Sequence, residues 1–505
     1  MAVSGQSRVV DVVAGPHARA RTPPGRFFNA TRCIYPYVHE SHQIVPYSVN
    51  GCNGYWCSPR GRRLVRHLRG HTHALGVHVD RIMTDTVVVI GQGYVGLPVA
   101  LSAAGAGFRV LGLDTDPKVV KRLNTGVSHI GDVTDDQLEA GLASGYSATG
   151  DPGVIAEADV VVVCVPTPLS ENGGPDLEFV KSAAMVIGER VAPGTLVVLE
   201  STTYPGTTEE IFAPLVLGGR LALGTDINIA FSPERIDPGN RDFGLTNTPK
   251  VVGGLSPECT KAAQRFYGRF IDNVVATRGA REAEMAKLLE NTFRHVNIAL
   301  VNEMVRFCNE LDIDLWDAID AAESKPFGFM AFRPGPGVGG HCIPVDPAYL
   351  SHRVRAKLGY AFRMVELAEE VNTAAPLYVA TRAWEALNDR WIAVNGARVL
   401  LIGVTYKPNV ADQRQSPADP LAERLLSWGA HIAYHDPFVP AWQLGEAGDK
   451  TLRSVEDPYA EAAESDLVVL LQPHASYHLD RLAGVSAEIL DTSGRIGDHV
   501  HVRRL

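Results

Sequence analysis

The stretch TVVVIGQGYVG, residues 86–96, determines how the fold of this chain is interpreted. Its first five residues are all β-branched, which predicts a buried strand. The glycine-rich turn GQGYVG follows, and LPVALSAAGAG (97–107) then has the pattern of an amphipathic helix. A strand, a glycine-rich turn and a helix in this order are typical of a dinucleotide-binding βαβ unit.

Each glycine of this turn has an expected role in binding a dinucleotide. Gly91 permits the tight turn, Gly93 lets a pyrophosphate approach the backbone, and Gly96 lets the helix pack closely on the strand. The next predicted strand, RVLGLD (109–114), ends in Asp114. A carboxylate there accepts hydrogen bonds from ribose hydroxyls and repels a 2′-phosphate, which favours NAD over NADP. The predicted cofactor-binding residues of this unit are Gly91, Gln92, Gly93, Tyr94, Val95, Gly96 and Asp114.

Two further residues are candidates for the same cofactor. Thr167 in CVPTP follows the predicted strand ADVVVVCVP (158–166) and therefore lies at the carboxyl edge, where cofactors bind. Lys118 follows Asp114 and is expected to meet the adenosine end of NAD, although a solvated helix lysine is an equal alternative.

The rest of the chain repeats the strand–turn–helix pattern and predicts an α/β protein. Its two Rossmann-like, doubly wound parallel-sheet domains are joined by a long central helix over residues 281–312. Other strands are predicted at TLVVLEST (195–202), ARVLLIGVTY (397–406), AHIAYHDP (430–437) and DLVVLLQP (466–473), and helices near 117–124, 176–191 and 417–428. The expected domains are a first sheet over 83–280, a central helical region over 281–390 and a second, smaller sheet over 391–505.

Charge is distributed unevenly along the 505 residues. Residues 1–82 carry a net charge of +8 and show no helical or strand periodicity, so a disordered extension is predicted there; a transit peptide or an over-extended start are alternatives. The remainder carries −18, which argues against a nucleic-acid partner. No apolar run approaches the roughly 20 residues that a membrane span needs.

The segment GPGVGGHCIPVDP (335–347) places a single thiol, Cys342, among glycines and prolines, a composition typical of a binding loop. The other cysteines after residue 82 are Cys164, Cys259 and Cys308, and no pair among the four has the close spacing of a metal site. The chain also lacks a secretory context, so neither a metal site nor a disulfide is predicted. A packed thiol and a reactive thiol remain as alternatives.

Several motifs together resemble the UDP-glucose/GDP-mannose dehydrogenase family. They are ESTTYPG (200–206), SPERIDPGN (232–240), Lys287 and Asn291 on the long helix, GGHCIPVD (339–346) and YKPNVADQR (406–414). The resemblance covers about residues 84–500. It implies a cytoplasmic enzyme that oxidises the C6 alcohol of a nucleotide sugar to a carboxylate with two NAD⁺. It also implies a homodimer, or a larger homo-oligomer, built on the long helix.

The same resemblance assigns catalytic roles. Cys342 as a thiolate would convert the aldehyde to a thiohemiacetal and then a thioester, with Lys287 as the neighbouring cation and Asn291 as its partner donor. Asp346 with Thr203 would orient water, and Glu234 would assist hydrolysis. Taken alone, Asp346 is also a candidate helix cap, Thr203 a strand-end residue and Glu234 an ion-pair partner of Arg235.

Substrate and cofactor contacts are also implied in the second sheet. Lys407 matches a position that touches the nucleotide sugar and Arg414 one that touches the cofactor; both cations suit anionic diphosphates. The full set expected to bind substrate is Glu234, Arg235, Lys287, Asn291, Arg294, Gly337, Gly339, Gly340 and Lys407, and Thr203 and Arg414 are also expected to bind NAD.

The sequence around Cys342 and Glu234 resembles that of the branch of the family that acts on UDP-N-acetylhexosamines. CIPVD lacks the Phe and Lys usual in the UDP-glucose branch, and Pro238 stands where that branch has a second acid. The expected substrate is UDP-N-acetylglucosamine, with UDP-N-acetylmannosamine, UDP-N-acetylgalactosamine and UDP-glucose as alternatives. From another class, a catalytically silent nucleotide-sugar-binding protein is retained. A two-electron β-hydroxyacid dehydrogenase explains neither Cys342 nor the second sheet.

Overall fold

A computed structural model describes residues 85–505, apart from 171–173, 237–239, 241, 341–342, 446–449 and 486. The basic segment 1–82 and the proposed nucleophile Cys342 therefore lie outside the described residues. Within the described part of the chain, no helix combines the length and apolar character needed to cross a membrane.

The larger sheet carries the glycine-rich turn. Its described strands are β1 (Thr86–Ile90), β2 (Arg109–Leu113), β3 (Tyr146–Thr149), β4 (Val160–Val163), β5 (Leu196–Leu199), β6 (Asn228–Phe231), β7 (Lys250–Gly254) and β8 (Val274–Ala276). The helices between them are α1 (Gly96–Gly105), α2 (Pro117–Asn124), α3 (Asp135–Ala143), α4 (Glu178–Arg190), α5 (Ala213–Leu217) and α6 (Pro257–Tyr267), with a 3₁₀ turn at Pro152–Glu157 and a π turn at Thr208–Phe212.

Strand order in this sheet is β3-β2-β1-β4-β5-β6-β7-β8. The order reverses between β1 and β4, which places a crevice at the carboxyl ends of these strands, where open α/β sheets bind ligands. β1 pairs in parallel with both β2 and β4, and the all-valine strand β4 is completely buried, as a strand covered by helices on both faces must be. β7 departs from the predicted parallel arrangement because it runs antiparallel to β6.

The long helix predicted at 281–312 is confirmed as α7 (Ala280–Glu310). Three more helices follow it: α8 (Leu315–Glu323), α9 (Asp346–Leu358) and α10 (Arg363–Asp389). α10 continues through Pro376 and packs along α7. The second sheet therefore connects to the first through a layer of paired helices as well as through α7.

The smaller sheet contains β9 (Arg398–Ile402), β10 (His431–His435), β13 (Leu467–Leu470), β14 (Glu488–Asp491) and β15 (Val502–Arg504), in the order β10-β9-β13-β14-β15 with parallel pairing throughout. The remaining elements are α11 (Ala418–Ser427), the hairpin β11 (Ala441–Leu444) and β12 (Lys450–Arg453), α12 (Pro458–Ala463) and α13 (Leu479–Ala483). The predicted α/β architecture with two Rossmann-like sheets and a central helix is thus observed.

Candidate active site

The glycine-rich turn is shaped for a close-approaching ligand. Gly91 has φ of +89°, and a Cβ there would lie 2.6 Å from the carbonyl oxygen of Cys164. A Cβ on Gly96 would lie 1.8 Å from the carbonyl oxygen of Gly91, so helix α1 packs directly on the turn. By contrast, a Cβ on Gly93 meets no atom within 4 Å. Gly91 and Gly96 are therefore required by the protein itself, whereas Gly93 borders open space suited to a pyrophosphate.

Asp114 stands beside this turn at the end of β2. Its Oδ2 accepts a hydrogen bond of 2.9 Å from the backbone N–H of Gln92, and its Oδ1 accepts one from the N–H of Asp116. The Gln92 side chain is buried and engaged internally, donating to the carbonyl of Val89 and accepting from the hydroxyl of Tyr146. Gln92 therefore serves to order the turn, while the partly exposed Asp114 keeps the carboxylate expected to bind ribose. These residues fit an NAD molecule.

Three polar side chains meet on the inner face of α7. Lys287, Asn291 and Asp346, the first residue of α9, are 8%, 9% and 1% exposed. The amide Nδ2 of Asn291 donates a hydrogen bond of 2.6 Å to Asp346 Oδ2, and Lys287 Nζ lies 4.0 Å from the same oxygen. Burial raises the pKa of Asp346, against the opposing effects of Lys287 and Asn291. No side-chain cap bond forms at the start of α9, so the alternative role of helix cap is not observed, and Asp346 stays a candidate site residue.

The hydroxyl that meets Lys287 belongs to Thr202, which the sequence analysis did not single out. Lys287 Nζ donates a hydrogen bond of 2.5 Å to Thr202 Oγ1. The neighbouring Thr203, which is expected to orient water with Asp346, is buried, and its Oγ1 has no hydrogen-bond partner among the described residues. Thr202 therefore bonds to Lys287, whereas the hydroxyl of Thr203 does not.

Glu284 fixes the ESTTYPG segment to α7. It is 1% exposed, and its carboxylate accepts hydrogen bonds from the N–H of Gly206 at 2.6 Å, the N–H of Thr208 at 2.8 Å and the hydroxyl of Thr208 at 2.7 Å. Burial nevertheless raises the pKa of Glu284 to about 7. This side chain therefore holds the segment that carries Thr202 in register with Lys287, one helical turn further along α7.

Glu234 follows β6 at the carboxyl edge of the larger sheet. Its Oε1 accepts a hydrogen bond of 2.5 Å from the N–H of Ile236, while Oε2 is buried and has no hydrogen-bond partner in the described part of the chain. Arg235 pairs instead with Glu290 on α7, at 2.7 Å and 3.1 Å, and donates to the carbonyl of Pro249. The alternative of a Glu234–Arg235 ion pair is therefore wrong, and Glu234 presents an oxygen available to a ligand or water.

The glycine-rich loop before Cys342 is held between α7 and the second sheet. Asn302 on α7 accepts a hydrogen bond of 3.0 Å from the N–H of Gly335. The N–H of Gly340 donates to the carbonyl of Arg414 at 2.8 Å. A Cβ on Gly340, which has φ of +80°, would lie 2.7 Å from the ring of Tyr406, and one on Gly339 would lie 2.6 Å from the carbonyl of Gln415. Only glycine allows the two loops to touch, so the loop leading to Cys342 packs on the motif 406–414.

That motif also approaches the cofactor turn. The Arg414 guanidinium lies 5.8 Å from the centroid of the Tyr94 ring and forms a bidentate pair with Asp412. Lys407 lies close enough to Asp132, which precedes α3, to lower that residue's pKa, although burial of Asp132 has the larger, opposite effect. Arg414 and Lys407, the residues of the second sheet that are expected to contact the cofactor and the nucleotide sugar, therefore lie close to residues of the first sheet.

The remaining predicted residues are less closely associated. The carbonyl of Thr167 accepts a hydrogen bond from the hydroxyl of Tyr349 on α9, which joins the strand end to the helix of Asp346. Lys118 on α2 and Arg294 on α7 are exposed, so neither belongs to the buried cluster. Gly337 packs against Pro417 and Pro376.

A dinucleotide turn, a buried lysine–aspartate pair and a second Rossmann-like sheet define this protein as an NAD-dependent oxidoreductase. Comparison with models of known protein families shows to which family of oxidoreductases the chain belongs. The chain matches the UDP-glucose/GDP-mannose dehydrogenase family over its NAD-binding domain (85–271), central domain (281–374) and UDP-binding domain (400–496). The chain belongs to this family, whose members are NAD-dependent nucleotide-sugar dehydrogenases.

The match with individual relatives extends over nearly the whole length of each relative. An NDP-N-acetyl-D-galactosaminuronic acid dehydrogenase of Ralstonia nicotianae is 35% identical over an alignment of 427 positions, and this alignment covers 81% of this chain and 96% of the relative. A UDP-N-acetyl-D-mannosamine dehydrogenase of Yersinia pestis is 32% identical, covering 81% and 99%. The solved structure of a UDP-D-ManNAc dehydrogenase from Pyrococcus horikoshii superimposes with a TM-score of 0.74 at 30% identity, covering 83% of this chain and 98% of that one.

Proposed function

We propose that this protein oxidises the C6 hydroxyl of a UDP-N-acetylhexosamine to the uronate by a four-electron reaction, and that UDP-N-acetylmannosamine is its substrate. The observation that carries the proposal is the buried Lys287–Asn291–Asp346 cluster beside a dinucleotide turn. The sugar follows from the names of similar proteins, which act on N-acetylmannosamine or N-acetylgalactosaminuronic derivatives. Those names support the alternative UDP-N-acetylmannosamine better than the UDP-N-acetylglucosamine expected from the sequence.

In this proposal the chain's own residues handle charge and protons around C6. The turn at Gly93 and the carboxylate of Asp114 would hold NAD⁺, which would supply the hydride acceptor for each of the two oxidations. Lys287 stabilises the alkoxide that forms at C6, because its ammonium is buried and held in place by Thr202. Cys342 as a thiolate adds to the aldehyde carbon and gives a thiohemiacetal, and loss of the second hydride from this adduct gives a thioester. Water then adds to the thioester carbon, the C–S bond breaks, and the uronate and the free thiol are released. Asp346, oriented by Asn291, is placed to take up a proton.

The experiment for the substrate mixes purified protein with NAD⁺ and each of four UDP-sugars in turn. We expect two NADH per sugar from UDP-N-acetylmannosamine, with far slower NADH formation from the glucose, N-acetylglucosamine and N-acetylgalactosamine derivatives. Two equivalents from UDP-glucose alone would refute the proposed substrate. Measurable UDP-sugar binding with no NADH from any of the four would favour the catalytically silent alternative.

The covalent step is tested by Cys342→Ala. Because an aldehyde does not easily give up a second hydride without a tetrahedral adduct, the variant should lose four-electron turnover by at least a thousandfold, roughly the effect of removing a catalytic nucleophile. Cys308→Ala, which removes a buried core thiol on α7, is the matched control and should retain turnover. Full uronate production by the Cys342 variant would exclude covalent catalysis.

We further propose a homodimer formed through the outer face of α7. Leu289, Phe293, Leu300 and Phe307 repeat at helical spacing and are 59%, 45%, 52% and 45% exposed. A stripe of large apolar side chains of this kind is costly to leave in water, so a second copy of this chain is expected to cover it.

We also propose that the functional domains divide near residues 280 and 390, since the larger sheet ends at Ala276 and the smaller one begins at Arg398.

A further inference from the structure

Asp436 occupies the place in the second sheet that Asp114 occupies in the first, but its carboxylate is used differently. Each acid directly follows the second strand of a parallel pair, β10 beside β9 and β2 beside β1. Asp114 is partly exposed. Asp436 is 2% exposed, and its Oδ2 accepts hydrogen bonds from the N–H groups of Val404 at 2.7 Å and Thr405 at 3.2 Å. Asp436 therefore shapes the turn after β9 instead of facing a ribose.

His474, which follows β13, extends this contact to the far end of the turn. The side chain is 2% exposed, its Nε2 lies 2.9 Å from Asp436 Oδ2, and its Nδ1 accepts a hydrogen bond of 2.8 Å from the N–H of Asn409. Because a backbone N–H can only donate, Nδ1 carries no proton and the Nε2–H group donates to Asp436. Burial would raise the pKa of Asp436, but the hydrogen bonds from His474 and from the N–H groups of Phe438 and Val404 lower it below its usual value.

The backbone of Lys407 is held between these contacts. The hydroxyl of Thr405 donates a hydrogen bond of 3.0 Å to the carbonyl of Lys407 and lies 3.4 Å from His474 Nε2. Asn409, two residues after Lys407, has φ of +64°, and its side-chain oxygen accepts a hydrogen bond of 2.7 Å from the N–H of Ala475. Lys407 is therefore fixed on one side by Thr405 and on the other by the segment that follows β13.

The same contacts determine how this turn can bind a phosphate. A glycine-rich turn, as in the first sheet, lets phosphate approach the backbone. Here most backbone N–H groups of the turn are already bonded within the protein, namely those of Val404, Thr405, Tyr406 and Asn409. Pro408 has no N–H. Binding of a diphosphate at this turn therefore depends on a side chain, and Lys407 is the cation of the turn.

We propose that His474 and Thr405 are positioning residues that set Lys407 against the diphosphate of the UDP-sugar, and that His474 acts through the N–H of Asn409. This inference rests on the part of the proposed function in which a UDP-sugar is bound, with Lys407 as a contact. A lysine ammonium is a point charge on a flexible stem, so its distance from a phosphate depends on where the backbone starts that stem. Loss of either positioning residue would displace the lysine without removing any group that touches UDP.

Calorimetry of the full chain with UDP tests this proposal without turnover. His474→Gln keeps an Nε2 donor for Asp436 but has no acceptor at the δ position for the N–H of Asn409, and it should weaken UDP binding about tenfold or more. His474→Asn keeps an acceptor at the δ position and should bind UDP within about threefold of the wild type, although it loses the donor to Asp436. His478→Gln, which alters an exposed histidine of the same segment, is the matched control and should leave UDP binding unchanged.

A double-mutant cycle shows whether His474 acts through the lysine. Lys407→Met should weaken UDP binding about tenfold or more, and adding His474→Gln should cost at most about a further twofold, because the lysine to be positioned is absent. A purely structural defect would instead weaken binding by the same factor in both backgrounds. Thr405→Val, which removes one hydroxyl, should weaken UDP binding about threefold in the wild type and leave it unchanged in the Lys407→Met background.

Unchanged UDP affinity in His474→Gln or in Lys407→Met would overturn the inference, as would equal losses from His474→Gln with and without Lys407. UDP affinity as weak in His474→Asn as in His474→Gln would overturn it too. If His474→Gln fails to fold, Thr405→Val decides, and unchanged UDP affinity in that variant overturns the inference. A wild-type protein that binds no UDP would refute the proposed function, and this inference with it. If UDP binds with the expected pattern but no UDP-sugar yields NADH, the proposed reaction is refuted and the positioning role stands.

Discussion

Glu284 offers a quantitative test of how the ESTTYPG segment is held on α7. Its carboxylate is buried and accepts from two backbone N–H groups and one hydroxyl. Glu284→Ala removes every one of these acceptors and leaves the N–H groups of Gly206 and Thr208 without their partner. Each buried donor left unsatisfied costs about 1–3 kcal/mol, so closing this segment should become about 2–6 kcal/mol less favourable.

The same carboxyl makes the segment sensitive to pH. Burial raises the Glu284 pKa from 4.5 to about 7, and opening the segment returns the carboxyl to water and to its ordinary pKa. A raised folded-state pKa means that the stabilisation is fully present below about pH 4.5 and is lost as the pH rises through about 7. A difference of this size corresponds to roughly 3 kcal/mol. Glu284→Gln cannot ionise and should show no such dependence.

Hydrogen exchange is the appropriate assay because it reports the local opening of the Gly206 and Thr208 amides. After correction for the intrinsic rate at each pH, protection of these amides in the wild type should fall between pH 5 and pH 8. Glu284→Ala should lower protection by at least about thirtyfold, the equivalent of 2 kcal/mol. Wild-type protection that is constant or rises with pH would refute the assignment of a raised pKa. Unchanged protection in Glu284→Ala would refute the anchoring role itself.

The remaining predictions use matched variants. Gly93→Ala should fold normally but weaken NAD⁺ binding about tenfold or more by calorimetry, whereas Gly96→Ala, with a Cβ 1.8 Å from a carbonyl oxygen, should lower the melting temperature sharply. Gly340→Ala should reduce NADH turnover more than about tenfold because its Cβ meets a tyrosine ring at 2.7 Å, while Gly335→Ala, with no atom within 4 Å, should not. Lys287→Met should reduce turnover by about 10²–10³-fold without loss of NAD⁺ binding; unchanged turnover would remove the lysine from the mechanism.

Elements with local signals were predictable from the sequence. The run of β-branched residues before GQGYVG gave β1, and α7 was placed within two residues of its ends because its pattern continues without a breaker. Helix α3 was missed although Thr134 and Gln137 form a capping box, a signal that was available in the sequence. The part of the larger sheet from β6 to β8 was also missed, since three short strands there change direction without an intervening regular pattern.

The candidate site was predicted in its parts but not in its contacts. Two adjacent threonines in ESTTYPG are indistinguishable as letters, and only the orientation of the chain shows that Thr202 rather than Thr203 meets Lys287. The buried ion pair of Lys250 with Glu200 was not predicted, because a lysine at a strand start is ordinary and the pairing depends on the direction of β7. Both cases depend on three-dimensional orientation, which residue identity and spacing do not encode.

The hydrogen bond from the N–H of Gly340 to the carbonyl of Arg414 couples two loops with different expected roles, one in catalysis and one in binding the nucleotide. The segment that leads to the proposed nucleophile cannot move without also moving the segment that is expected to bind the nucleotide. Reactivity at sulfur and retention of the sugar donor should therefore change together along any evolutionary path. An effort to broaden substrate choice by altering residues 406–416 would also alter the rate of the chemical step, and selection must satisfy both at once.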